Sequence, residues 1–283
     1  MPDFNTFLAP AKINLFLHIT GQRADGYHTL QSAFQLLDYY DVISLKATHN
    51  GSIKRVTNLA DIPEQKDLCV RAAQALQLVT GCNHGVEIAI EKHIPMGAGL
   101  GGGSSDAATV LLALNQLWAL NLSREKLMEI GLTLGADVPI FIFGQNAWAE
   151  GIGEILTPLS LPIQHYVVLT PQVHVSTAQI FANPTLTKDT KPLKIADFSK
   201  GTNANLFSNN LEKVVCEEFS AVASALEWLN QYGQARMSGS GASVFVAVDS
   251  ITKANVICKK KPINMQGFVA KSLHHHPLYE LAK

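Results

Sequence analysis

Cysteine is scarce in this chain, with four thiols in 283 residues, Cys69, Cys82, Cys216 and Cys258, and no C-x-x-C pair. Spacings this wide exclude a sequence-local metal cluster. They leave reduced, buried thiols as the expectation, as in a cytoplasmic protein. Long apolar runs are missing too, since none reaches the ~18 residues that a membrane helix needs. The opening stretch "MPDFNTFLAPAKINLFLHI" carries an acid and no basic lead before its apolar part, which argues against a secretory signal. Nor is there an excess of charge. Lys and Arg number 22 against 23 Asp and Glu, for a formal net charge of −1. A nucleic acid or a membrane surface is therefore not expected as a partner. With 47% hydrophobic and 16% charged residues, the composition is that of a soluble globular protein with a sizeable core. The length allows one large domain or two ordinary ones.

The first third reads as β-rich, with "KINLFLHIT" and "VISLKAT" as strands and "RADGYH" as a turn between them. "DLCVRAAQALQLV" has helical spacing with Asp67 as its cap, and Val86, Ile88 and Ile90 alternate with polar neighbours as in a half-buried strand. "SSDAATVLLALNQLWAL" is apolar nearly all round and predicts a buried helix, with Ser104, Ser105 and Asp106 as N-cap candidates. "SREKLMEIGLTLG" predicts a helix from the Ser123 cap to Gly135, while "ADVPIFIFG" and "NAWAEGIGEIL" read as short strands and turns. From about residue 158 the texture changes: a strand at "YVVLT", a loop-heavy stretch near 183–205, a helical "NNLEKVVCEEFSAVASALEWLNQYG", and a glycine turn running into the strand "VFVAV". The pattern predicts two α+β domains, residues 1–158 and 159–283, and no internal repeat.

The densest signal is "IPMGAGLGGGSSDAA" at 94–108. A Walker A loop is excluded, because the position of its phosphate-reaching lysine holds Gly103. Gly97 to Gly102 satisfies G-x-G-x-x-G, yet the dinucleotide context fails. Pro95 and Met96 separate strand from glycines, and a second helix follows where a buried strand ending in an acid is needed. What remains is a glycine-rich turn that sets amide N–H groups at a helix N-terminus, an arrangement that binds anions through orphan donors and the helix dipole. Ser104 and Ser105 would add hydroxyls for phosphate oxygens or for Mg²⁺.

This segment resembles the phosphate loop of the GHMP kinases. Four further segments agree in order: "APAKINLFL" at 9–17, "RADGYHTL" at 23–30, "GADVPIF" at 135–141, and "ARMSGSGASVFV" near 235–246. The resemblance implies an α+β two-domain fold, a ribosomal protein S5 domain 2-like N-terminal domain and a ferredoxin-like C-terminal domain, with the site between them. It implies an ATP- and Mg²⁺-using kinase with a small-molecule substrate. The triple-glycine form and "RADGYH" resemble the branch that phosphorylates the 2-hydroxyl of a cytidine-diphosphate-linked methylerythritol in the non-mevalonate isoprenoid pathway. No nucleic-acid or membrane partner is implied; a monomer or weak homodimer is expected.

On this resemblance Pro95, Met96, Gly97, Ala98, Gly99, Leu100, Gly101, Gly102, Gly103, Ser104 and Ser105 form the nucleotide-binding stretch, and Lys12 and Asp137 the catalytic pair. By residue type alone, Lys12 could equally be a strand-end surface cation and Asp137 a turn-forming acid. Tyr27 and His28, otherwise readable as a hairpin pair, would contribute to a cytidine pocket with Phe181 as a second aromatic. Asn14 is a candidate for substrate hydroxyls or for positioning the catalytic pair. Gly239 and Ser240, in "SGSGAS", would supply a second backbone donor loop, where the alternative is a tight turn before a strand. "HHH" at 274–276 reads as neither a tag nor a metal site, and Lys259 to Lys261 as a solvated patch.

Overall fold

The computed structural model describes residues 3–60, 62–199 and 207–282. The first half consists of β1 (Asn5–Gln22), β2 (His28–Thr48), β3 (Ile53–Arg55), α1 (Leu68–Thr80), β4 (Gly85–Glu91), α2 (Gly102–Leu117), α3 (Arg124–Leu134), α4 (Val138–Phe143), β5 (Ala147–Glu150) and β6 (Ile155–Pro158). The second consists of β7 (His165–Pro171), α5 (Thr177–Ala182), α6 (Ile195–Ser199), α7 (Glu212–Glu218), α8 (Ser220–Asn230), β8 (Arg236–Met237), β9 (Val244–Val248), α9 (Ile251–Lys259) and β10 (Met265–Lys271).

Local chemistry explains most of these boundaries. Asp67 accepts the Cys69 N–H at 2.8 Å to start α1, and Gly81 ends it in the left-handed region with φ 66°. Ser123 accepts the Lys126 N–H at 3.3 Å to start α3, and Gly135 ends it. The β1–β2 hairpin turns where Arg23 N–H reaches Tyr27 O at 2.7 Å and Asp25 accepts the Tyr27 N–H at 3.2 Å.

β1 to β6 form one sheet in the order β3-β4-β2-β5-β6, with β1 antiparallel to β2. α1 to α4 cover it, and a core of Val86, Ile88, Leu111, Leu114, Phe141 and their neighbours fills the gap. The second sheet runs β10-β7-β9-β8, all antiparallel. Its strand order and the intervening helices match the ferredoxin-like pattern that the resemblance implied. A third apolar cluster joins the halves: Ala11 and Ile13 of β1 and Leu37 of β2 meet Tyr166, Val168, Phe245 and Ala270. After β10 the chain returns to the first half, where Leu273 N–H donates to Leu36 O at 2.8 Å and Ala282 lies in the first core.

Several expectations are corrected here. The "VPIFIF" stretch is the helix α4, not a strand, because Pro139 sits in its first turn and all its sides are buried, so its apolar run carries no strand alternation. No serine caps α2; Gly101, with φ 73°, holds that place, and Ser104, Ser105 and Asp106 lie inside the first turns. The helical stretch after Asn209 is two helices broken at Phe219. Of the four thiols only Cys69 is buried, and burial raises its pKa well above the ordinary range. The loop-heavy stretch contains the short helix α6, and its residues 200–206 lie outside the described ones. No helix among the described residues is long and apolar enough to cross a membrane.

Candidate active site

Residues two apart on a strand share a face, so β1 presents Lys12 and Asn14 together toward a cavity of about 970 Å³ between the halves. Lys12 lies mid-strand and only 2% exposed, which rules out the surface-cation alternative. A buried ammonium needs partners. Lys12 Nζ donates to Asn14 Oδ1 at 2.7 Å, lies 3.3 Å from Asp137 Oδ2, and sits 5.3 Å from the Phe34 ring centre. Asp137 is the residue before α4, and its carboxylate is 40% exposed on the cavity side. One charge of this pair is therefore fixed in the wall, and the other is open to a ligand.

Asn14 ties the pair to its surroundings. Its Nδ2 donates to Ser32 Oγ at 2.8 Å, and Ser32 Oγ passes its own hydrogen to Phe16 O at 2.6 Å. Its backbone N–H donates to Ser238 Oγ at 3.2 Å, and that hydroxyl donates to Gly99 O at 2.9 Å. β1 and the two glycine loops are thus pinned at one point.

The glycines are required by how closely these parts approach. A Cβ on Gly99, where φ is 77°, would stand 2.0 Å from Ser238 O. One on Gly101 would stand 2.8 Å from the Phe141 ring and 3.1 Å from Lys12 Cε. Beyond them α2 begins, and the first N–H groups of a helix have no partner inside it. Pro95, Gly97, Ala98, Gly99, Gly101, Gly102, Gly103 and Ser104 line the cavity. Three residues of the stretch do not. Met96 points outward, Leu100 is fully buried in the cluster between the halves, and Ser105 is buried behind the loop with its Oγ unpartnered among the described residues.

At the other end of the cavity, His28 and Phe181 face each other with ring centres 5.2 Å apart. His28 Nε2 is buried with no hydrogen-bond partner among the described residues, and burial, aided by Lys188, holds its pKa below the ordinary imidazole value. A neutral ring with one unused nitrogen suits the polar edge of a base. Tyr27 also lines the cavity, largely exposed; Gly239 lines it against Gly99 and Asn14, and Ser240 Oγ shares a hydrogen bond with Thr177 Oγ1 at 2.7 Å.

Sequence reasoning missed two features. His174 lines the cavity beside Gly97, and nothing in "PQVHVST" marked it. The other is a buried triad behind the loop. Lys92 Nζ contacts Asp41 Oδ2 and reaches Asp106 Oδ2 at 2.6 Å, while Asp41 Oδ1 accepts the N–H groups of His93 and Ile94 at 2.6 and 2.8 Å. The triad joins β2, the exit of β4 and the first turns of α2. One lysine serves two carboxyls here. Burial, with the nearby Asp41 charge and against the pull of Lys92, pushes Asp106 up to about 8. Among the described residues, no three His, Cys, Asp or Glu side chains group as a metal site. Ser104 and Asp137 both line the cavity beside the loop and carry oxygens of the kind a hard cation takes.

This geometry can be set beside known proteins. The model of the GHMP kinases N terminal domain matches residues 67–145, and that of the GHMP kinases C terminal matches residues 193–260. The chain belongs to the GHMP kinases, the family its motifs resemble. Within it, the chain is 52% identical to a 4-diphosphocytidyl-2-C-methyl-D-erythritol kinase of Cupriavidus metallidurans, with 99% of this chain and 97% of that protein covered. It is 53% identical to a kinase of the same name from Thiobacillus denitrificans, with 97% of each covered. A crystal structure of 4-(cytidine 5'-diphospho)-2C-methyl-D-erythritol kinase superposes with a TM-score of 0.82 at 32% identity, over 95% of this chain and 99% of that one. A mevalonate kinase, at 16% identity and a TM-score of 0.70, shares the fold.

Proposed function

We propose that this chain transfers the γ-phosphoryl group of ATP to the 2-hydroxyl of 4-diphosphocytidyl-2-C-methyl-D-erythritol, giving the 2-phosphate and ADP. One observation carries the reading. A single cavity holds an acid–lysine pair beside a helix N-terminus at one end and a paired His28–Phe181 site with an unused ring nitrogen at the other. The full-length identity to kinases of that name supports the substrate.

In the reaction, Asp137 accepts the proton of the attacking hydroxyl as the new O–P bond forms and the bond from phosphorus to the departing ADP oxygen breaks. Lys12 keeps the Asp137 carboxylate oriented and offsets charge gathering on the transferred group. The N–H groups at Gly101 to Ser104 cradle the phosphates. His28 takes the polar edge of the cytosine, with Tyr27 and Phe181 against its faces, so that ligands lacking that edge leave a buried polar atom unpaired and are rejected. Asn14 sets Lys12, and Gly239 and Ser240 close over the substrate side. Mg²⁺ would be held on the protein side by Ser104 Oγ, a sparse set that suits an ion which commonly takes few protein oxygens and keeps several waters. The ion would supply charge neutralisation. On this reading residues 1–158 carry the nucleotide loop, the catalytic pair and the Tyr27–His28 part of the substrate pocket, residues 159–283 complete that pocket with Phe181 and Ser240, and the protein works in the cytoplasm.

The test is ADP release with the cytidylyl alcohol, homoserine and mevalonate offered separately. Turnover with homoserine or mevalonate and none with the cytidylyl alcohol would overturn the substrate. Asp137→Asn is expected to lower kcat by about 10²–10⁴-fold with ATP binding retained. A near-normal kcat removes Asp137 from the base role.

A further inference from the structure

α4 is six residues long, too short to persist by its own hydrogen bonds. Asp137 immediately precedes it, so the carboxylate goes where the helix goes. The sides of α4 are buried, and the Phe141 ring abuts Gly101 of the phosphate loop. At its near end Val138 N–H donates to Gly135 O at 3.1 Å, and at its far end a larger set of bonds gathers. There the Arg124 guanidinium donates to the carbonyls of Ile142 and Phe143, the last residues of α4. Its other nitrogen donates to Tyr279 O and Ala282 O in the returning tail, and its carbon lies 4.7 Å from the Tyr279 ring centre. A cation at this end also complements the negative end of the helix dipole. The tail adds a direct bond, His276 N–H to Gly144 O at 2.7 Å. No slack is left, because a Cβ on Gly144 would stand 3.0 Å from the Tyr279 ring and 3.3 Å from Arg124 Nη1.

We infer that Arg124, acting with Tyr279 and the tail from His276 to Ala282, is a positioning residue that holds Asp137 against Lys12 by clamping the opposite end of α4. The inference rests on the reading of Asp137 as the base. Arg124 touches neither Lys12 nor the cavity; its effect passes through six residues of helix. Lysine cannot replace it, since a single ammonium lacks the planar fork that serves four carbonyls at once.

The variants are Arg124→Lys and the milder Tyr279→Leu, which keeps the backbone acceptor and the apolar bulk. Activity is referred to folded sites counted by binding of an ATP analogue. Misplacing a catalytic group by about 1 Å costs up to ~10²-fold, so Arg124→Lys is expected to lower kcat per site at least ~10-fold with both KM values within about twofold. Tyr279→Leu is expected to lower it about threefold in the same sense. A purely structural role would lower the count of folded sites and leave kcat per site unchanged; that result in Arg124→Lys overturns the proposal, and so does a loss confined to KM. Asp137→Asn is measured alongside. If it is inactive while Arg124→Lys is normal per site, the clamp alone fails. If Asp137→Asn is itself active, the base assignment fails, and the clamp with it.

Discussion

Asp106 and Asp137 each face a lysine, and their surroundings give them opposite characters. Asp137 is 40% exposed and has Lys12 at 3.3 Å, while Asp106 is buried and shares Lys92 with Asp41, whose other oxygen already takes two backbone donors. The folded protein therefore favours a protonated Asp106, with its pKa raised to about 8. A folded-state pKa above the unfolded one contributes stability that is full below the ordinary carboxylate range and is lost as pH rises through the folded value. Asp106→Asn, which mimics the protonated form, should gain in melting temperature relative to wild type between about pH 5 and about pH 9. A difference that stays constant with pH would contradict the shift. Legibility at this scale was uneven. Lys12 and Asp137 were readable only through a resemblance, since residue type left surface alternatives open. Lys92 was not readable at all, because its two partners lie far from it in sequence and meet only through folding.

Among the elements, those with a periodic face or a capping residue were legible: α1 from Asp67, α3 from Ser123, β4 from its alternation. α4 was not, since a helix buried on every side shows no period, and six residues are too few to separate it from a strand. The glycine loop was legible as a cradle. The partner that makes its glycines obligatory was not, because Gly99 is pressed by Ser238 from the other half of the chain. Gly99→Ala should therefore cost well over ~1 kcal/mol from the positive φ and the clash together. It should also raise the KM for ATP by parting the two loops. The chemical denaturation midpoint checks this, and a midpoint unchanged from wild type would show that the loops can yield.

Across the whole molecule, the resemblance carried by the five motifs implied the two-domain fold that the structure has. The returning tail was hidden, as "HHHPLYELAK" has no pattern that points to the first core. Tail, interlocked loops and shared apolar cluster together make the halves interdependent. Trp118 is buried in the first core, and Trp228 packs against the second. Variants that keep one or the other as sole tryptophan should report coincident unfolding midpoints in guanidinium, as a two-state transition requires. Separated midpoints would show halves that melt independently.

The cavity lining carries, among the described residues, one lysine, Lys12, against two aspartates, Asp25 and Asp137. A nucleoside triphosphate and a diphosphate diester would thus meet a lining that holds no cluster of lysine and arginine. On the proposed reading their grip would come from N–H dipoles at contact range, inside the ~8–10 Å over which dissolved ions screen. Proteins that recruit nucleotides through clusters of lysine and arginine lose them as electrolyte accumulates. On the proposed reading there is little long-range attraction here to lose, so the KM for ATP should stay nearly level as salt is raised.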